Sequence, residues 1–583
     1  MNAPHATRTS VTRIGSFWRV LALGAWLGGC GSTTATDGAN FAAESTADAT
    51  TYDKNAATGT SAQSADSSGS GFNANTPSTA ADASAGAPNA GGGADQGIGL
   101  KPGGAQDIGY FRLLLKSGQM PKPGDMTMEG WLNEHDTVLP AALKDRLVTL
   151  HAMAGVIQPA GQPAQGILQL GLNSAMSLQD VQTSLSLTLV IDNSGSMAGD
   201  KLNYVKAGLH VLADKLPKGT RLTMFTFSET AVLVFPGKVV QPEDLPALHA
   251  AIDAVQATNG TNLFDGLSAG IADCQSASSD FVQKRVMLLS DGEPTVGDQS
   301  LTDIEGLAGP SAKNGCSIST VGVGLNFSPT LMTGIAQQGN GTAWFLQDVE
   351  AAKNVFVQDL ETMLVAVAQK LWLQFKPADG WKVLEIYGFE WVEKDGLVQI
   401  TGPKKAAAQP GDQTGTPVTT DPTDPNAPTV AMPTLFASSR NGLVLARLTG
   451  PASTDPLQVM NLTLASMEYG YTSSKDQTTA QFTSPVTVPG LSQVPDGGLV
   501  YFTNAGVRRA WLLMVDGLSL QAAVQMATDG KPDDAKALLD AAVKRHDEQV
   551  AAMQADLPVY DASAPDLADA KDLLVALTAL IGK

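Results

Sequence analysis

Three cysteines in 583 residues, Cys30, Cys274 and Cys316, leave room for few covalent staples. Positive charge is also scarce: 37 Lys and Arg stand against 57 Asp and Glu, a formal net charge of -20. That balance excludes a nucleic-acid partner, whose phosphates need clustered cations, and suits a soluble, self-repelling surface. Aromatics make up only 6%. Beyond the N-terminus no run of 18 consecutive apolar residues occurs, so no transmembrane helix is expected. There is no Gly-x-x-x-x-Gly-Lys loop. The stretch Gly322–Phe327 has two glycines of a dinucleotide loop but lacks the third and the helix that should follow. The six histidines are scattered and show no His-Glu-x-x-His zinc spacing.

What is present begins with an address. Arg8, Arg13 and Arg19 precede the short apolar run Val20–Cys30, which is too short to span a bilayer but has the layout of a secretory signal over residues 1–29. Leu27-Gly28-Gly29-Cys30 resembles a bacterial lipobox. That resemblance implies cleavage before Cys30, lipidation of its thiol and attachment to a membrane of the cell envelope. Gly31 is not the Asp of inner-membrane retention, so the outer membrane is favoured. The alternative is a plain signal peptide with an incidental Cys. In an exported protein Cys274 and Cys316 could pair or remain buried thiols; sequence alone does not place their Cα atoms in bonding range.

A chain of this length should hold several domains. Residues 30–104 are rich in Gly, Ala, Ser, Thr, Asn and Asp, with almost no large apolar groups, and read as a tether reaching roughly 50 Å. A short helical segment follows over 105–146. From Leu185 to about Val367, apolar strands alternate with amphipathic helices, which argues for a doubly wound, mostly parallel sheet over residues 184–370. Its second and third strands, RLTMFTFS and AVLVFPG, are two residues apart and must form a hairpin, making one edge antiparallel. The last helix is expected over Val349–Val367. Residues 147–183 and 371–490 have the alternating grammar of a β-sandwich, into which the α/β unit is inserted, with a mobile Pro/Thr/Asp-rich loop from Pro403 to Pro433. Residues 491–583 read as helical. Their first two helices look faintly like one tetratricopeptide unit, which alone implies packing rather than a peptide groove.

The first α/β strand, LSLTLVI, runs directly into Asp192-Asn193-Ser194-Gly195-Ser196. Alone that is a turn. Two further signals appear where a sheet of order 3-2-1-4-5-6 would bring them together. Thr261 precedes the third helix in ATNGTNLFDGL, and Asp291 ends the fourth strand in RVMLLSDGEPT. Ligands of open α/β sheets gather beyond the carboxyl ends of the strands, where strand order reverses. Asp192, Ser194, Ser196, Thr261 and Asp291 make an all-oxygen set that selects Mg2+, Mn2+ or Ca2+ over softer metals. Met197 should pack beneath the loop. Asp200 should cap the first helix. Asp265 and Glu293 read as solvated or supporting groups.

DNSGSM, GTNLFDGL and LLSDGEPTVG closely resemble the metal-ion-dependent adhesion site of von Willebrand factor type A domains. The resemblance implies that Asp192, Ser194, Ser196, Thr261 and Asp291 hold the metal and that a partner protein's Asp or Glu completes its shell. The flanks YFRLLLKSGQMPKPGDMTMEGWLNE and LVAVAQKLWLQFKP look like those of bacterial YfbK-type lipoproteins of that group. Three functions follow as expectations: capture of a protein partner through the metal; a scaffold of an envelope complex in which the metal only stiffens loops; and, least supported because no nucleophile and base pair stands out, a metal-dependent hydrolase. The expectation is a non-enzyme.

Overall fold

The computed structural model describes residues 98–581 apart from 136–138, 160–162, 178–179, 181–183, 293, 325–327, 349–364, 404–431, 439–440, 451–462, 488–497, 503–504 and 557–564. The signal, Cys30 and the tether up to residue 97 lie outside the described residues, as do Glu293 and most of the expected helix Val349–Val367.

In chain order the elements are β1 (Ile98–Pro102), β2 (Gly104–Ala105), α1 (Gly109–Lys116), α2 (Met128–Glu134), β3 (Thr149–Pro159) and β4 (Gln165–Ser174). The α/β unit follows: β5 (Leu185–Asp192), α3 (Asp200–Lys215), β6 (Arg221–Phe227), β7 (Ala231–Val239), α4 (Leu245–Asp253), α5 (Leu263–Ser276), β8 (Gln283–Ser290), α6 (Leu301–Gly306), α7 (Ala308–Lys313), β9 (Cys316–Val323), α8 (Pro329–Gln338) and β10 (Asn340–Leu346). Then come β11 (Ala366–Pro377), β12 (Lys382–Tyr387), β13 (Phe389–Lys394), β14 (Leu397–Pro403), β15 (Met432–Ser438), β16 (Gly442–Thr449), β17 (Thr463–Ser473), β18 (Thr479–Thr487) and β19 (Gly498–Phe502). Helices α9 (Ala505–Thr528), α10 (Pro532–Asp556) and α11 (Pro565–Ile581) end the chain.

The α/β sheet has the order β2-β10-β9-β8-β5-β6-β7. Counting from β5, that is 3-2-1-4-5-6, with β7 antiparallel to β6 as the two-residue connection demands. β5 is buried along its whole length, as expected of a central parallel strand covered on both faces. Leu187, Leu189 and Ile191 pack with α3 residues such as Val205 and Leu209 on one face. Val190 packs with Leu263, Leu267 and the α8 residues on the other. Gly270 lets α5 close on β5, because a Cβ there would lie 2.3 Å from the Val190 side chain. The sulfurs of Cys274 in α5 and Cys316 in β9 are bonded, with Cα atoms 6.1 Å apart.

The remaining strands form one branched antiparallel network, with a core that includes Leu168, Leu170, Phe375, Val444 and Tyr469. β4 and β11 are the branch points. One edge of β4 is shared by β16 and β1 while β3 takes the other, and β11 meets β15 and β14 on one side and β17 on the other. Residues before 184 and after 370 therefore meet across the inserted α/β unit.

Several boundaries move. Ile98–Pro102, inside the stretch read as tether, forms β1 between β4 and β15, so the sheet takes in residues before 105. Its backbone supplies the missing sheet partner, a role that needs few side chains. Gly498–Phe502, placed with the helices, pairs with β3. Ala366 and Val367, expected in a helix, belong to β11, and Met432 and Pro433, expected in the loop, belong to β15. The segment between β8 and β9 carries two short helices, α6 and α7. The N-terminal helices are not independent. Ile108, Phe111 and Trp131 share one core with Trp511, Leu513 and Leu574, and the Trp131 indole N–H donates to the Leu513 carbonyl at 2.7 Å. Gly506–Thr528 is long and apolar enough to cross a membrane, but Val507, Trp511 and Met514 on it are core residues here.

Candidate metal site at the sheet rim

β5 and β8 are adjacent and parallel, with Ile191 opposite Leu289. Asp192 and Asp291 thus leave neighbouring strands at the same rim, the place where strand order reverses. Both are fully buried. Asp192 Oδ1 accepts the Ser194 backbone N–H at 2.8 Å, and its Oδ2 accepts the Ser290 hydroxyl at 2.6 Å. The Ser290 hydroxyl in turn accepts the Gly292 N–H at 2.9 Å. Burial pushes the Asp192 carboxyl up to about 6; the Ser194 and Ser290 hydrogen bonds oppose this, and the Asp291 carboxylate pushes further up.

Asp291 is held differently. Its Oδ2 pairs with the Lys201 ammonium at 2.9 Å, while its Oδ1 is buried with no hydrogen-bond partner. Lys201 lies in the first turn of α3, and its stem lies across Gly324, where a Cβ would sit 2.4 Å from the lysine chain. The Ser194 and Ser196 hydroxyls are 3.0 Å apart, Ser194 buried and Ser196 exposed. Thr261 is buried at 2% exposure. Its loop is tied to both others by backbone: Thr258 N–H donates to the Asn193 carbonyl at 2.7 Å, and Thr295 N–H to the Thr261 carbonyl at 2.9 Å. The three loops bearing the five expected ligands are therefore neighbours, and their main chains interlock without help from those side chains.

The donor set fits a hard divalent cation. Two carboxylates and three hydroxyls are oxygen-only, and a buried carboxylate oxygen without a donor is a position that a cation satisfies. Among the described residues no group of three or more His, Cys, Asp or Glu is arranged to hold a metal ion.

Of the supporting residues, Met197 sits as expected, whereas Asp200 and Asp265 do not. Met197 is fully buried under the loop. Asp200 does not cap α3: Gly199, at φ 78°, is the N-cap and Asp200 lies in the first turn. Asp265 Oδ2 accepts the Ala231 N–H at 2.8 Å, fixing the start of β7 rather than facing solvent alone. Ser290 and Lys201 were not anticipated. Ser290 was legible as a polar residue closing an apolar strand directly before Asp291. Lys201 carries no such signal.

Residues 186–358 match the sequence profile of the von Willebrand factor type A domain, and the chain carries such a domain there. Over 200 residues it is 28% identical to the uncharacterised protein YfbK of Escherichia coli, covering 33% of this chain and 34% of that one. Over 205 residues it is 29% identical to the uncharacterised protein sll0103 of Synechocystis, covering 35% and 48%. The matches thus span between a third and a half of those relatives. Among solved structures, a von Willebrand factor type A protein from Catenulispora acidiphila aligns at 13% identity and a TM-score of 0.45, over 69% of this chain and 86% of that one.

Proposed function

We propose that this chain holds a divalent cation, Mg2+ with Mn2+ or Ca2+ as substitutes, through Asp192, Ser194, Ser196, Thr261 and Asp291, and captures a protein partner whose Asp or Glu adds an oxygen to that cation. The observation that carries the reading is Asp291 Oδ1: a buried carboxylate oxygen without a partner, at the switch point beside Asp192. The cation's chemistry there is to accept an incoming carboxylate oxygen. The chain's own residues supply the rest. Asp192 is oriented by Ser194 and Ser290, the exposed Ser196 marks the open side, and Lys201 balances the charge of Asp291.

The scaffold alternative, with metal merely stiffening the loops, is weakened because the loops already interlock through their main chains. The remainder of the reading is a lipid-anchored cell-envelope protein, acylated at Cys30 and residing in the outer membrane. Radiolabelled palmitate incorporation into wild type but not into Cys30→Ala tests the anchor. For the site itself, the intact protein and its Asp192→Ala form are compared in capture from envelope extract, with and without chelator. Capture lost on substitution and on chelation, with the melting curve kept, supports the reading. Capture indifferent to both refutes it.

A further inference from the structure

On the opposite side of α3 from the lysine that pairs with Asp291, four side chains of two helices form a closed figure. His210 and Asp214 are one turn apart on α3, and His249 and Asp253 are one turn apart on α4. Each carboxylate serves the other helix's imidazole. His210 Nε2 meets Asp253 Oδ1 at 2.9 Å, and His249 Nε2 meets Asp214 Oδ1 at 2.9 Å. The two Nδ1 atoms face each other at 2.6 Å, in rings inclined by only 19° with centroids 4.9 Å apart. The rings therefore meet head-on, nitrogen to nitrogen, rather than face to face.

Hydrogen counting shows what this arrangement lacks. Three contacts in series, Asp–His, His–His and His–Asp, need three hydrogens between them. Two neutral imidazoles carry only two. Every neutral arrangement therefore leaves two lone pairs pressed together, either between the rings or against a carboxylate. One added cation resolves the conflict: a shared proton, or a metal ion in its place. With a proton the four groups carry a net charge of about -1; with a divalent ion they are neutral.

We propose that His210 and His249 form a second cation site, distinct from the sheet-rim site and selective for borderline metals of the Zn2+ class. Imidazole nitrogen suits Zn2+, Ni2+ and Cu2+, whereas Mg2+ and Ca2+ prefer oxygen. A ligating imidazole whose other N–H is donated to a carboxylate is the usual support of such ligands, fixing tautomer and ring plane; here both imidazoles have it. Zinc–nitrogen bonds of about 2.0–2.1 Å at a tetrahedral angle need the two Nδ1 atoms to part by roughly 0.8 Å and the rings to tilt out of their head-on line. The side chains, exposed by 32% and 28%, have room to do so. Asp214 and Asp253 are engaged at the Nε2 atoms, so beyond the two Nδ1 atoms the remaining positions belong to water or to an incoming donor. Lys206, whose ammonium donates to the Asp253 carbonyl at 2.9 Å, lies on the backbone side of the figure.

The test uses the untagged full-length chain carrying Asp192→Ala, so that its outcome does not depend on the sheet-rim site. Zn2+ is titrated calorimetrically, and Co2+ is followed by its visible absorption. The expected result is one Zn2+ per chain, not displaced by excess Mg2+, lost in His210→Ala and in His249→Gln. Asp214→Asn with Asp253→Asn should weaken it about 10–100-fold. Circular dichroism melts confirm that these surface variants fold. An Asp192→Ala chain that binds no Zn2+, or an isotherm unchanged by both histidine substitutions, overturns the proposal.

Discussion

Glu129 and Asp291 are both buried carboxylates, and each has one oxygen that meets no donor. They differ in what surrounds the other oxygen. Glu129 Oε2 accepts the Gln337 side-chain amide at 3.0 Å and the Ala105 N–H at 3.3 Å, with no cation among the groups that shift it. Burial pushes it up to about 8, against those two hydrogen bonds, so at neutral pH it is a neutral acid pinning α2 against α8 and β2. Asp291 faces Lys201 on one side and the rim on the other. A buried acid with only neutral neighbours becomes a structural hydrogen-bonding group. One kept beside a cation, with an oxygen left over, remains able to ligate.

The largest effect should come from the charged counterpart of Glu129 in the same region. Arg112 pairs with Glu134 and Asp569, joining α1, the end of α2 and α11. Burial pushes Glu134 up, yet the Arg112 guanidinium outweighs it and holds the carboxyl at about 2. Arg112→Met strands two carboxylates and should cost about 3 kcal/mol in urea unfolding, at the low end for a broken buried pair because Asp569 is 39% exposed. An unchanged midpoint would mean that the helices do not depend on this pair.

Next is the pH response of Glu129. Its folded value lies above its ordinary one, so its stabilising contribution is full at acid pH and is lost as pH rises through about 8. Glu129→Gln keeps a neutral group there. The variant should lose less stability than wild type between pH 6 and 9; parallel curves would show that Glu129 is not held neutral. Thr261→Ala should weaken Mn2+ binding on the order of tenfold, about 1.4 kcal/mol, with the sheet intact. Smallest, Lys201→Met removes the positive charge 2.9 Å from Asp291 and should tighten Mn2+ binding several-fold. Weaker binding in that variant would instead make Lys201 a positioning group.

Much of the α/β architecture was legible, because a period-two to period-3.6 alternation with short connections permits few topologies. The two-residue gap before β7 dictated the antiparallel edge, and Asp192, Thr261 and Asp291 each stood at the end of an element where the order 3-2-1-4-5-6 would gather them. What stayed hidden depends on backbone or on long range. β1 draws its place from main-chain pairing with Ser438 and Asn173, which the Gly-rich sequence around it does not advertise. The Trp131–Leu513 hydrogen bond joins residues hundreds of positions apart. The His210–His249 contact needs α3 and α4 side by side, and the linear sequence offers only two unremarkable His-x-x-x-Asp stretches.

The most direct test is a calorimetric titration of Mn2+ and Mg2+ into metal-stripped protein, comparing wild type with Asp291→Ala at pH 7.5. One binding event is expected in wild type and none in the variant, with both proteins melting cooperatively. Equal binding by the two, or none by wild type, would contradict the proposed metal site.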